Sequence, residues 1–193
     1  SIFIAGSAVQ WLRDRLNFFD SAEKTEELAK FSKEDSNVLV VPAFTGLGAP
    51  HWDAEARGAI YGLTLDSSIP EITAATLKSI AFQTKDLLWA IAKDGAKLDE
   101  MRVDGGMVSN SWFVEQLSNI LNITVLRPKI IETTALGASF LAGINAGLFS
   151  DINSLDSIWS CDKTFIPEEG AVKKLADQYN SWSKAVKLTK DLS

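Results

Sequence analysis

Val103-Asp104-Gly105-Gly106-Met107-Val108-Ser109-Asn110 is the stretch whose reading decides the fold. Met101 to Val103 reads as a strand, two adjacent glycines follow, and Phe113, Leu117, Ile120 and Leu121 then recur at helical spacing. Paired glycines let the backbone turn sharply and let a ligand approach with no side chain between. The helix start beyond them offers unpaired N–H groups and the positive end of the helix dipole, which suits phosphate. The same residues also describe a plain tight turn, with Asn110 as a helix cap and Asp104 holding the bend. The residues alone leave the two readings open.

Downstream, Ile123 to Leu126 reads as a strand closed by Pro128, and Thr134 to about Ala146 as a helix rich in Ala and Gly. Strand-helix-strand-helix order implies parallel strands covered by helices, an α/β architecture. A last helix is expected from about Glu169 to Leu192.

Upstream, Pro70 opens the longest helix, with Ser67 or Ser68 as its cap. Leu77, Ile80, Ala81, Thr84, Leu88 and Ile91 give it one buried stripe, and Gly95 stops it. Strands are expected at Val38 to Val41 and Ala59 to Leu63, and a polar helix from about Ser21 to Phe31. At the start, Ile2 to Ala5 reads as a buried strand ended by Gly6, not as a signal peptide, because no basic residues precede it. Ser7 and Gln10 fit a capping box opening a helix to about Leu16. This is a second strand-glycine-helix unit, weaker as a site because Gln10 can simply cap its own helix.

Composition narrows the chemistry. The 193 residues fit one domain with a real core. A net charge of −6 argues against nucleic acid or an anionic membrane as the main partner. The lysines from Lys184 to Lys190 read as a solvated helix face. No apolar run reaches the ~20 residues that span a bilayer. Cys161 is the one cysteine, so no internal disulfide forms and nothing suggests secretion; it reads as a buried filler. His51 is the one histidine, which excludes a metal site of several Cys and His ligands.

His51 reads as a packed loop histidine. The loop Thr45 to Pro50 before it is glycine-containing and could close over a ligand, but it does not match the dinucleotide fingerprint. No Walker A pattern occurs. Trp11, Trp89, Trp112 and Trp182 lie on predicted helices and read as core or groove walls.

Six blocks then stand in a specific order: Phe3 to Asp14, Val41 to Pro50, Trp52-Asp53, Ala56 to Thr64, Arg102 to Gly106, and Glu132 to Ala138. Together they resemble the C-terminal part of the FGGY carbohydrate kinases, from the first residue to about Leu148 and more weakly beyond. Gly46-Leu47-Gly48-Ala49-Pro50 with Trp52-Asp53 resembles the glycerol kinase branch rather than xylulose or gluconate kinases. The resemblance implies an actin-like, ribonuclease-H-like ATPase domain, its sheet covered by helices on both faces, here without the family's first two strands. It makes residues 1–193 the nucleotide-binding domain and places the other domain outside this sequence. It implies ATP as phosphoryl donor, with Mg2+ held mostly by that other domain, and glycerol reached through it. A homo-oligomer in the cytoplasm, without nucleic acid or membrane partners, is the matching expectation.

By the same resemblance, Gly6, Gln10, Gly105, Gly106 and Asn110 line the nucleotide site, and no catalytic residue or metal ligand falls in this chain. Another sugar or polyol kinase, or a non-catalytic actin-like binding module, are the alternatives. One departure is Lys78, where the family carries an acidic or amide side chain; its position on a helix predicts little cost. The other is the absent strands, which would leave the edge of Ile2 to Ala5 unpaired.

Overall fold

The structure, a computed structural model, describes residues 2–96, 98–151 and 159–192. Its elements in chain order are α1 (Gly6–Asp14), α2 (Lys24–Phe31), β1 (Leu39–Val41), β2 (Ala59–Tyr61), α3 (Ile69–Lys93), β3 (Glu100–Arg102), a 3₁₀ turn (Gly106–Ser109), α4 (Ser111–Leu121), β4 (Thr124–Pro128), α5 (Thr133–Asn145), β5 (Cys161–Phe165) and α6 (Glu169–Asp191). This is the mixed α/β architecture expected. The strands divide into two small sheets, β1-β2 and β3-β4-β5. The pair read from the strand-helix-strand order, β3 and β4, runs parallel, with Met101 opposite Val125. β1 and β2 are antiparallel.

Local signals account for most boundaries. Ser68 caps α3, and the Glu71 carboxylate three residues on accepts the Ser68 N–H at 2.9 Å. Glu71 also accepts the Lys33 N–H at 3.1 Å, which ties the chain after α2 to the start of α3. Asn110 caps α4 by accepting the Phe113 N–H at 2.8 Å. Asn122 closes α4 in the left-handed region, where an amide side chain is tolerated.

A main core, beside a smaller cluster of Val38, Val40 and Ala75, joins most of the elements. Val9 and Leu12 of α1, Leu77 and Ile80 of α3, Val114 and Leu117 of α4, Val125 of β4 and Trp182 of α6 are all buried in it. The α3 stripe holds over its first turns and then fades: Ile91 is 38% exposed. Trp182 is fully buried and Trp11 packs against Phe44, whereas Trp89 is 57% exposed beneath the Lys93 ammonium, not core as expected.

Three other expectations change. Ile2 to Ala5 forms no strand; Ile4 is buried but Phe3 is exposed, so the unpaired edge foreseen there does not arise. No side-chain capping bond forms at the start of α1, so Ser7 and Gln10 do not close the predicted box. Cys161 is only partly buried and lies on β5, an antiparallel strand the sequence did not announce. Among the described residues, no helix is long and apolar enough to cross a membrane.

The glycine loop before His51 is built into the body and is not a free lid. Leu47 and Asp53 exchange backbone hydrogen bonds at 2.6 and 3.0 Å. His51 Nε2 lies 2.7 Å from the Asp86 carboxylate on α3, and the Tyr179 hydroxyl of α6 donates to the same carboxylate. The histidine is thus a packed one, as expected. Gly46 sits at φ +88°, and a Cβ there would come within 2.7 Å of the Asp53 carbonyl oxygen. Gly46→Ala therefore combines left-handed strain with a backbone clash, and a loss on the order of 2 kcal/mol is expected in urea unfolding. An unchanged midpoint would mean that the loop relaxes freely.

Candidate functional site

The Gly105-Gly106 turn is fixed from both sides. Gly105 adopts φ +85°, a conformation that demands glycine, and its N–H donates to the Ile131 carbonyl at 2.9 Å. Asp104 accepts a hydrogen bond from the Thr133 hydroxyl at the start of α5. Beyond the turn, Arg127 of β4 donates to the Val108 carbonyl at 3.1 Å and to the Ser111 hydroxyl at 3.0 Å. The Asp162 carboxylate of β5 holds the same guanidinium through two bonds of 2.9 and 2.7 Å. The 3₁₀ turn is thereby locked onto the sheet.

Gly106 differs from its neighbour. Its φ is not left-handed, and a Cβ built on it meets no atom within 4 Å. The fold has no need of glycine there. At Gly6 the result is similar: an added Cβ would touch only Met107, at an ordinary 3.7 Å. Both glycines border one cavity of about 500 Å³, within the range of small-molecule sites.

That cavity is where Gly6, at the start of α1, meets the Gly105-Gly106 turn. Gly6 and Gln10 of α1 line it on one side, and Gly106 and Asn110 on the other, a hundred residues away in the chain. Gly105 is not on the wall; it makes the turn that presents Gly106. Gln10 is exposed and its side-chain amide makes no hydrogen bond among the described residues, which leaves that amide available to a ligand. Asn110 does two jobs: its oxygen caps α4, and its amide donates to the Thr25 hydroxyl of α2 at 3.1 Å.

Several lining residues escaped the sequence reading. Arg13, Glu23, Thr25, Glu26 and Ser109 complete the wall. Glu26 accepts the Ser111 N–H at 2.9 Å and the Lys30 ammonium at 2.6 Å, and Lys30 holds its carboxyl below the usual range. Residues 26 and 111 are joined only by the fold, so no spacing rule could have paired them. Val9 and Leu77 give the cavity apolar wall, and Gln10, Arg13, Thr25, Ser109 and Asn110 give it polar side chains. Such a site suits a ligand with a flat apolar body and an anionic tail. Among the described residues, no group of three or more His, Cys, Asp or Glu side chains comes together to hold a metal.

Residues 1–146 match the model of the FGGY family of carbohydrate kinases, C-terminal domain. A glycerol kinase of Marinomonas sp. is 53% identical over 188 residues, covering 96% of this chain and 37% of its own length. One from Coxiella burnetii is 47% identical over 98% of this chain and 38% of its own length. The chain therefore spans somewhat less than two fifths of the relatives it matches. Among solved structures, Plasmodium falciparum glycerol kinase with ADP superposes with a TM-score of 0.82 at 34% identity, over 98% of this chain and 38% of that one. A xylulose kinase from Lactobacillus acidophilus has a TM-score of 0.81 at 24% identity, over 97% of this chain and 38% of its own, a likeness of fold alone.

Proposed function

This chain belongs to the FGGY family of carbohydrate kinases, and from that premise we propose that it is the nucleotide-binding part of a kinase moving the γ-phosphate of ATP to glycerol, giving glycerol 3-phosphate. The observation that carries the proposal is the convergence of Gly6, Gln10, Gly106 and Asn110 on one cavity. Two of these are glycines that the fold itself does not require. The adenosine would lie against Gly106 and Asn110, with Gly6 and Gln10 beside it.

In this proposal the chain's residues bind and orient. Phosphoryl transfer draws mainly on positioning and electrostatic stabilisation. The cavity supplies the first by fixing the adenosine, so that the phosphates extend in one direction. The acceptor pocket and the general base lie outside this chain, as do most ligands of Mg2+, which neutralises phosphate charge when bound. The similarity of the loop at Gly46–Pro50 to the glycerol kinase branch and the glycerol kinases at about half identity favour glycerol over a sugar as acceptor. A homo-oligomer working in the cytoplasm belongs to the same proposal.

The test is ADP formation by the intact protein with glycerol, xylulose or gluconate as acceptor. Glycerol is expected to give the dominant rate. The 193-residue chain alone is expected to give none above background. Turnover of glycerol by the isolated chain would contradict the division of labour proposed here, and preference for xylulose or gluconate would contradict the acceptor.

A further inference from the structure

Lys78 on α3 is surrounded in a way that its position on a helix did not announce. Its neighbours Leu77 and Ser79 are buried, and Lys78 itself is half-buried. The ammonium donates to the Gln178 amide oxygen at 3.0 Å and lies 6.0 Å from the centre of the Trp112 ring. Among the described residues, no carboxylate lies within ion-pair distance of it. An ammonium has three N–H donors, and a neutral amide satisfies one. Burial, reinforced by Lys174, pushes its pKa down to about 8. A partly desolvated cation without a counter-charge carries a cost that an anion beside it would offset.

Lys78 borders a second cavity, of about 450 Å³, between the end of α2, the first turns of α4 and the start of α6. Lys30, Lys33 and Lys174 border it too. The carboxylates on its wall are Glu34 and Glu168, two against four ammonium groups. The three outer lysines reach single carboxylates at Glu26, Asp66 and Glu34; the pairs with Asp66 and Glu34 are solvent-exposed and of the kind worth little, and in the third the lysine end is the exposed one. They can turn toward a stronger anion at small cost. Four lysines and no arginine on the wall favour phosphate, met as a set of point charges, over a carboxylate gripped in a planar fork.

We propose that this second cavity binds a small phosphate-bearing anion through the ammonium groups of Lys78, Lys30, Lys33 and Lys174. The inference stands apart from the kinase reading, since none of these residues borders the first cavity. The two cavities nevertheless have adjoining walls. Leu77 lines the first and Lys78 the second, and Glu26 of the first holds Lys30 of the second. An anion that draws Lys30 away releases the Glu26 carboxylate, which also anchors the N–H of Ser111 at the base of α4.

Calorimetric titration of the intact protein with inorganic pyrophosphate tests the proposal, with inorganic phosphate and citrate as further probes. Lys78→Gln is expected to weaken pyrophosphate binding at least about tenfold, the scale of one charge-assisted hydrogen bond, without lowering the melting temperature. Lys174→Gln, on the exposed side of the cavity, is expected to weaken it as well and serves if the first variant folds poorly. Gly106→Val is expected to leave pyrophosphate binding unchanged. No binding to the wild-type protein at millimolar pyrophosphate, or binding by both Lys78→Gln and Lys174→Gln as tight as that of the wild type, would overturn the site. Loss in Gly106→Val alone would assign the anion to the first cavity, and citrate binding as tightly as pyrophosphate would overturn the phosphate class.

Discussion

Gly106→Val is expected to raise the apparent KM for ATP at least about tenfold in the intact kinase, with the KM for glycerol changed by no more than about twofold. The direction follows from what surrounds the position. An added Cβ at Gly106 meets nothing within 4 Å and the backbone is not left-handed, so the fold accepts the side chain. The valine is then added on the wall of the proposed nucleotide cavity. A tenfold change corresponds to about 1.4 kcal/mol, a modest cost for displacing a stacked or hydrogen-bonded group. Gly105 is the internal control, because its φ of +85° makes substitution a folding problem. Gly105→Val should therefore lower stability, while Gly106→Val should not. An unchanged KM for ATP in a stable Gly106→Val protein would remove the cavity from the catalytic cycle.

Trp182→Ala is expected to cost about 4 kcal/mol, and to lower the melting temperature by roughly 8–16 °C. Trp182 is fully buried, lies 5.5 Å from the centre of Phe82 and stacks at 6.3 Å on Tyr179. Its indole N–H donates to the Val40 carbonyl at 2.8 Å, so α6 is fastened to β1 by packing and by a buried hydrogen bond. Trp182→Phe separates the two contributions. It keeps most of the apolar contact and leaves the buried carbonyl without its donor, for an expected loss of about 1–2 kcal/mol. Equal losses for alanine and phenylalanine would place the stability in the hydrogen bond and not in the packing.

What the sequence disclosed divides along the range of the interactions involved. Ser68, Gly95 and Asn110 mark helix ends through contacts within a few residues, and α3 and the start of α4 stand where those signals put them. Gly105 and Gly106 were legible as a sharp turn for the same reason. The segment Ile2 to Ala5 was misread because apolar β-branched residues form a strand only when a partner lies alongside. β5 went unread because Cys161-Asp162-Lys163-Thr164-Phe165 is polar and mostly exposed, as edge strands tend to be.

The candidate site shows the same division. Its glycines and Asn110 follow from turn chemistry, and their grouping with Gly6 and Gln10 came from resemblance to a family. The contacts that make it a site are long-range: Thr25 with Asn110, Glu26 with Ser111, and Arg127 bracing the turn from β4. Lys78 is the sharpest case. On a helical pattern it is a tolerable surface residue, and only the packing of α2, α4 and α6 around it shows a partly desolvated ammonium.

The most direct test of the central claim is an experimental structure of the intact protein with ADP bound. The adenosine is expected in the cavity between α1 and the 3₁₀ turn, against the backbone of Gly106, with the Asn110 and Gln10 amides within hydrogen-bond reach. A nucleotide bound anywhere else, with this cavity holding only water, would contradict the assignment.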